Sequence, residues 1–348
     1  MREMIDSRNL DAVLIEKREN YLYLSGFSGT AAHLLITAKE AILVTDFRYI
    51  EQASKQARDY EILRLTGTFS GVLPGLLKEK NIKRIGFEGD YMTYDKLARY
   101  KDGAGDVEFV SIGDLLPDFR IIKDRFEIDT ISKAVEIADL AFENTIKFIR
   151  PGITELEVAA ELEYHMKKNG ATGPSFETIV ASGVRAAMPH GVASLKKLEP
   201  GDVITMDYGA IYNGYCSDIT RTVFLGQPKD ELVKIYNIVL KAQAAAEEGA
   251  VKGKTGKQID SIAREIIAQE GYGDSFGHGL GHGVGLEIHE EPRFSPSGNK
   301  IMENGMVVTV EPGIYVTGLG GVRIEDIIVI NDDKPEILTK ARKDLIII

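Results

Sequence analysis

Five side chains able to hold a divalent cation fall between positions 207 and 325: Asp207, Asp218, His282, Glu311 and Glu325. They sit in VITMDYG, YCSDITRT, GHGLGHGVGLEIHE, VVTVEPGIY and GGVRIED. Four carboxylates and one imidazole make a mainly oxygen-donor set, which suits two divalent first-row metals with a hydroxide between them. Brought together without cations, four acids repel one another and titrate as a coupled group at raised pKa. Two divalent metals neutralise them. If the five converge in space, the expected chemistry is two-metal hydrolysis.

The chain has six histidines, and four of them, His190, His278, His282 and His289, fall in the candidate site region, His190 shortly before Asp207. His278 and His282 have the spacing of a helical zinc pair, but the glycines between them argue against a helix. No HExxH occurs, since His289 is followed by Glu290-Glu291-Pro292-Arg293. Neither a GxGxxG after a strand nor a GxxxxGK[ST] is present, so the glycines are read as letting backbone approach a crowded centre. For His33 in an apolar run and His165 on a helix with Glu161 and Lys168, packing or solvent exposure is the expected reading.

The acids need elements to carry them. Asn213-Gly214 is a preferred centre for a two-residue type I′ hairpin turn. That turn sets Asp207 opposite Thr220 and Asp218 opposite Gly209. The two aspartates then become diagonal neighbours on one face, roughly 7–8 Å apart at the backbone. The second pair reads less cleanly, because Pro312 cannot donate to a ladder and the turn at 317–321 is glycine-rich.

An internal repeat frames both pairs. Gly152-Ile-Thr154 precedes a helix ending at Gly170, and 101 residues on Gly253-Lys-Thr255 precedes one ending at Gly271. Thr154 and Glu157 have capping-box spacing, and both glycines suit a left-handed cap. Each helical segment is followed by a strand pair with two acids. Two α/β halves related by a pseudo-two-fold would bring the four carboxylates to one place.

The first ~120 residues carry no obvious reaction centre. DAVLI, HLLIT and AILVTD read as strands, while 49–59 and 71–80 read as helices, the latter interrupted by Pro74. This alternation predicts a small α/β domain. Pro117 breaks the pattern, and a helix opens at Asp124 with Glu127 at capping-box spacing. The expected domains are therefore 1–120 and 121–348. Hydrophobic residues at 44% and charged residues at 27% fit a soluble two-domain protein. A net charge of −11 speaks against nucleic acid or an anionic membrane as partner. The N-terminus has no apolar leader and no window approaches a membrane span. Cys216 is the only cysteine, so no intrachain disulfide can form. That points to a reducing cytoplasm, with Cys216 as a small packed side chain.

Taken together, ASGVRAAMPHG, MDYGAIYNGYCSDITRT, GHGLGHGVGLEIHE, VEPGIY and GGVRIED resemble the Xaa-Pro peptidases, prolidase and aminopeptidase P. The resemblance covers nearly the whole chain. It implies an α/β architecture with a small creatinase-type N-terminal domain and a C-terminal pita-bread domain. It implies that Asp207, Asp218, His282, Glu311 and Glu325 hold two divalent ions, manganese first, with cobalt or zinc as alternatives. Glu311 would also carry the proton. His190 and His289 would contact substrate and stabilise the oxyanion, with His278 and Arg323 supporting the inner shell on the substrate side. Xaa-Pro peptides are the implied substrates and a homodimer the implied assembly. For Arg293, a solvated loop position and a grip on a dipeptide's carboxylate both stand open. Methionine aminopeptidase resembles the C-terminal fold but leaves the first ~120 residues unexplained. Creatinase shares the two-domain plan without metals, and a non-catalytic peptide-binding protein is the remaining alternative.

Overall fold

The first apolar runs become strands because they are short, rich in branched residues and bounded by turn formers. In the computed structural model, which describes residues 1–348 except the side chain of Asp114, the chain divides into two compact units. Met1–Arg120 holds a mixed six-stranded sheet. Its strands are β1 (Ala12–Ile15), β2 (His33–Thr37), β3 (Ala41–Thr45), β4 (Glu61–Arg64), β5 (Arg84–Phe87) and β6 (Glu108–Ser111), ordered β4-β3-β2-β1-β5-β6. Side chains of the inner strand β1 alternate between faces. Val13 and Ile15 enter one apolar core, while Ala12 and Leu14 enter the other. Both faces are covered, so β1 reads as a continuous apolar run. The helix expected at 71–80 starts earlier, as Phe69–Glu79, with Thr68 accepting the Gly71 N–H at 3.3 Å. Pro74 lies at its middle without ending it, at the cost of one backbone donor.

Ile121–Ile348 is built twice over. Asp124 and Glu127 form a capping box that opens the helix Arg125–Thr145, which packs on Glu155–Lys168. The second half repeats the pair with Asp230–Gly249 and Gly256–Gln269. Thr154 caps its helix with Glu157, and Thr255 caps its own with Gln258, a second box whose neutral partner the sequence reading passed over. Even the flanking bonds correspond. Gly152 N–H donates to Leu198 O at 2.8 Å, and Gly253 N–H to Met302 O at 2.9 Å. Each half has its own apolar core.

The strands of this unit are β7 (Gly173–Pro174), β8 (Ile179–Ser182), β9 (Val203–Tyr208), β10 (Ala210–Tyr212), β11 (Tyr215–Cys216), β12 (Ile219–Phe224), β13 (Gly281–Gly283), β14 (Glu290–Phe294), β15 (Val307–Val310), β16 (Gly313–Val316), β17 (Gly320–Arg323), β18 (Asp326–Val329) and β19 (Glu336–Ile337). They form sheets ordered β11-β10-β7, β12-β9-β8, β14-β13-β15-β18-β19 and β16-β17. In each half a long hairpin leaves one sheet and enters another, and the acids lie at these crossings. No helix among the described residues is long and apolar enough to cross a membrane.

Candidate metal centre

Asn213 and Gly214 adopt φ of 48° and 90°, the two positive values that a type I′ turn requires. Tyr212 pairs with Tyr215, and the same register reaches Tyr208 with Ile219 and Asp207 with Thr220. The expected pairing of Asp207 with Thr220 is observed. Between the two ladders the strands pinch together: a Cβ on Gly209 would stand 1.8 Å from Ser217 O, so only glycine fits. Asp218 follows that pinch and immediately precedes β12.

In the second half Val310 pairs with Asp326 and Gly313 with Arg323. Continuing that register across the gap sets Glu311 opposite Glu325. Pro312, which has no N–H, sits in the gap. His282 lies on β13, in an extended segment rather than a helix, and its N–H donates to Thr309 Oγ1 at 3.0 Å.

These elements bring the five together. Asp218, His282 and Glu325 each offer a ligand atom within 4.8 Å of the others. Glu311 Oε1 is 3.3 Å from His282 Nε2, and Asp218 Oδ2 is 3.6 Å from it. Asp207 is the outlying member: its Oδ2 accepts from Arg323 Nη2 at 2.6 Å. All five line one cavity of about 520 Å³, together with His190, His278, His289, Arg293 and Arg323. Every candidate site residue named from the sequence therefore lines this cavity.

The donor set fits divalent cations. Asp207 Oδ1 and Glu325 Oε1 are buried and have no hydrogen-bond partner. A buried carboxylate oxygen left unsatisfied costs free energy that a cation would recover. Burial, then Glu325, Asp207 and Glu311, pushes Asp218 well above the usual carboxylate range. Burial, then Glu311 and Asp207, does the same to Glu325. Burial also raises Asp207, against the pull of Arg323. Glu311 goes the other way. Burial opposes its charge, but the hydrogen bond and positive field of His282 hold it below the ordinary range. It is therefore the acid of the set that most readily stays ionised.

His278 and Arg323 are turned inward. His278 Nε2 lies 3.0 Å from the Tyr315 hydroxyl and Nδ1 2.8 Å from Gly279 O. Arg323 donates to Tyr315 at 2.7 Å, to Thr220 Oγ1 at 2.9 Å and to Asp207. Its guanidinium is taken up by protein groups, so its part in the site is to hold Asp207. His289 stands at the outer wall, its ring 4.5 Å from that of His282 between centroids. Burial, then His282 and Arg293, keeps it below the usual imidazole value. Arg293 lies on β14, half-exposed in the cavity wall.

Three supporting residues escaped the sequence reading. Tyr315 joins His278 to Arg323, Thr220 donates to Glu325 Oε2 at 2.7 Å, and Thr309 donates to Glu311 Oε1 at 3.2 Å. Thr220 and Thr309 each lie two positions from a candidate ligand, so strand alternation alone marks them as sharing its face. Tyr315 had only its place in VEPGIY.

Comparison with known proteins gives consistent matches along the chain. Residues 129–332 match metallopeptidase family M24, and residues 1–122 match the creatinase/prolidase N-terminal domain. An Xaa-Pro dipeptidase of Pyrococcus horikoshii is 46% identical over 346 residues, covering 99% of this chain and 97% of that protein. A solved Xaa-Pro dipeptidase from Bacillus anthracis is 48% identical at a TM-score of 0.97, covering 100% of this chain and 98% of that one. A solved X-Pro aminopeptidase from Thermotoga maritima is 43% identical at a TM-score of 0.94, with 98% of each chain covered.

Proposed function

This chain belongs to metallopeptidase family M24, and on that footing we propose that it hydrolyses Xaa-Pro peptide bonds with two divalent cations. The observation that carries the reading is one cavity with four acids, a histidine and two unpartnered buried carboxylate oxygens. Asp207, Asp218, His282, Glu311 and Glu325 would hold the cations. Bound there, divalent ions supply Lewis-acid charge and water activated near neutral pH.

The chain's own groups do the rest. Glu311, oriented by the Thr309 hydroxyl, takes a proton from the attacking water and returns it to the departing proline nitrogen. His190 and His289 line the cavity and donate to the oxygen of the polarised carbonyl, where preorganised donors act best. His278 holds Tyr315, Tyr315 holds Arg323, and Arg323 fixes the position of Asp207. Phe176, Ile179, Val192 and Phe294 furnish apolar wall that excludes water and strengthens each charge interaction. Tertiary Xaa-Pro amides lack the N–H that many peptidases grip, so a site reading carbonyl and carboxylate suits them.

Of the two substrate lengths, the dipeptide is the first choice, because Arg293 stands in the wall where a free carboxylate beside the scissile bond could be gripped. Manganese is the proposed metal on its match to a carboxylate-rich donor set. A homodimer follows from the family resemblance, and a cytoplasmic setting accords with a single buried cysteine. The proposed catalytic unit is 121–348, with 1–120 as its creatinase-type companion. An Xaa-Pro dipeptide and an Xaa-Pro-Yaa tripeptide, each assayed with and without added Mn²⁺, test the proposal. Cleavage of neither peptide in either condition overturns it, and preferential cleavage of the tripeptide reassigns the chain to aminopeptidase activity.

A further inference from the structure

The loop that carries His289 is built around a buried charge pair which the chemistry above does not use. Lys123 Nζ lies 2.9 Å from Glu290 Oε2, with side chains 1% and 5% exposed. Lysine and glutamate are buried this deeply only when paired. The loop spans 283–290, where Gly283 pairs with Glu290 across a break in register between β13 and β14. Glu290 fastens it from within. Its Oε1 accepts the Glu287 N–H at 3.1 Å, and a Cβ on Gly285 would come within 2.6 Å of Oε2. Gly285 donates its N–H to Glu287 O at 3.0 Å and accepts the Cys216 N–H at 2.7 Å.

Lys123 is itself held, its N–H donating to Gly305 O at 2.9 Å. It immediately precedes the capping box of Arg125–Thr145, whose Glu127 accepts from the Tyr215 hydroxyl at 2.9 Å. One helix start is thus tied both to the hairpin bearing the aspartates and to the loop ending at His289. The inner bonds of this short loop converge on the Glu290 carboxylate, and Lys123 is a buried cation against it.

We infer that Lys123, acting through Glu290, is a positioning residue for His289. The pair sets the loop so that the imidazole stands in the cavity wall beside His282. The kinetic consequence rests on the Xaa-Pro reading above, whereas the loop geometry does not. Lys123→Met lowers kcat on an Xaa-Pro dipeptide at least tenfold with bound manganese unchanged, and Lys123→Arg restores most of it. In a His289→Ala background the same change has no further effect, because the lost group is the one being positioned. Losses that multiply in that background, or loss of metal from Lys123→Met, overturn the inference.

Where the single variant fails to fold, Lys123→Met/Glu290→Gln removes both charges and keeps an acceptor for Glu287. It shows the same fall in kcat, and wild-type turnover in it overturns the assignment. Amide hydrogen exchange on the metal-free protein needs no substrate. It rises at 285–289 in Lys123→Met while Arg125–Thr145 stays protected. If exchange at 285–289 is unchanged, the brace does not exist, whether or not the wild type cleaves Xaa-Pro peptides.

Discussion

Both units of this chain bury carboxylates, and they do so in opposite ways. In the first unit Glu16 meets His33 Nδ1 at 2.5 Å, the Tyr100 hydroxyl at 2.7 Å and Lys96 Nζ at 2.9 Å. Burial opposes its charge, but His33, Lys96 and Tyr100 together hold its pKa below the ordinary glutamate value. His33 also stacks on Phe69 at 3.8 Å. In the second unit four acids face one another across a cavity with Arg323 as the permanent cation among them. Asp218 and Glu325 are driven well above their ordinary range. An acid buried with its partners is architecture. Acids buried against each other, each raising the pKa of the next, make a place for something the chain does not itself contain.

The sharpest way to break the contrast is to remove an acid from each cluster. Glu311→Gln is expected to lower turnover about a thousandfold or more, since it removes both a charge and the proton carrier. Chelation followed by assay should match it, with activity returning on added Mn²⁺ or Co²⁺. His190→Ala should lose catalysis while retaining metal, because this histidine is assigned to the substrate side. Equal metal loss in the glutamate and histidine variants would show that His190 had been misassigned.

The next effect is thermal and depends on pH. Asp218 and Glu325 have raised folded-state pKa values, so the ion-free protein retains protons that the unfolded chain sheds. Its stability therefore falls as pH rises from the ordinary carboxylate value through the raised one. A cation replaces those protons, so the gain in Tm from added Mn²⁺ should be larger at pH 7 than at pH 5. Calorimetry giving equal gains at both would remove the charge argument.

A smaller effect separates the two substrate lengths. Arg293→Ala should raise KM about tenfold for an Xaa-Pro dipeptide and much less for a tripeptide, the size expected when a charge-assisted pair is lost. Lysine should recover part of it, because a point charge cannot reproduce the fork. Michaelis curves that shift alike for both peptides would clear Arg293 of the role. The smallest effect on activity belongs to the first unit. Glu16→Gln should leave kcat and bound metal unchanged while lowering Tm. Because the folded pKa of Glu16 is depressed, its contribution is present above the unfolded value and fades as pH falls through the folded one. A metal deficit in this variant would mean that the two clusters are not separate kinds.

How far the sequence foretold this depends on how local the signal was. Asn213-Gly214 specifies its turn by backbone conformation alone, and that turn carries Asp207 into register with Thr220. Asp124 with Glu127 opens its helix for equally local reasons. Glu311 and Glu325 were harder. Their register is set by ladders on either side of Pro312, and neither ladder includes the acids themselves. The meeting of the two pairs depends on the docking of two separate cores, which no short window contains. The neighbours of Arg323 in sequence do not reveal that Asp207, Thr220 and Tyr315 surround it. The partners of Glu16 come from β2 and the helix Tyr94–Ala104, so the role of His33 as an ion-pair partner was not legible either.

Asp218 comes from the first half of the second unit and Glu325 from the second, yet their ligand atoms lie within 4.8 Å of each other. An ion shared between them is a cross-link. It closes a loop of roughly 100 residues, a constraint that for a covalent bridge of that span is worth about 4–5 kcal/mol in chain-entropy terms. With one cysteine the chain has no covalent staple available. Cation supply does that work instead, and unlike a disulfide this staple opens with a chelator rather than a reductant.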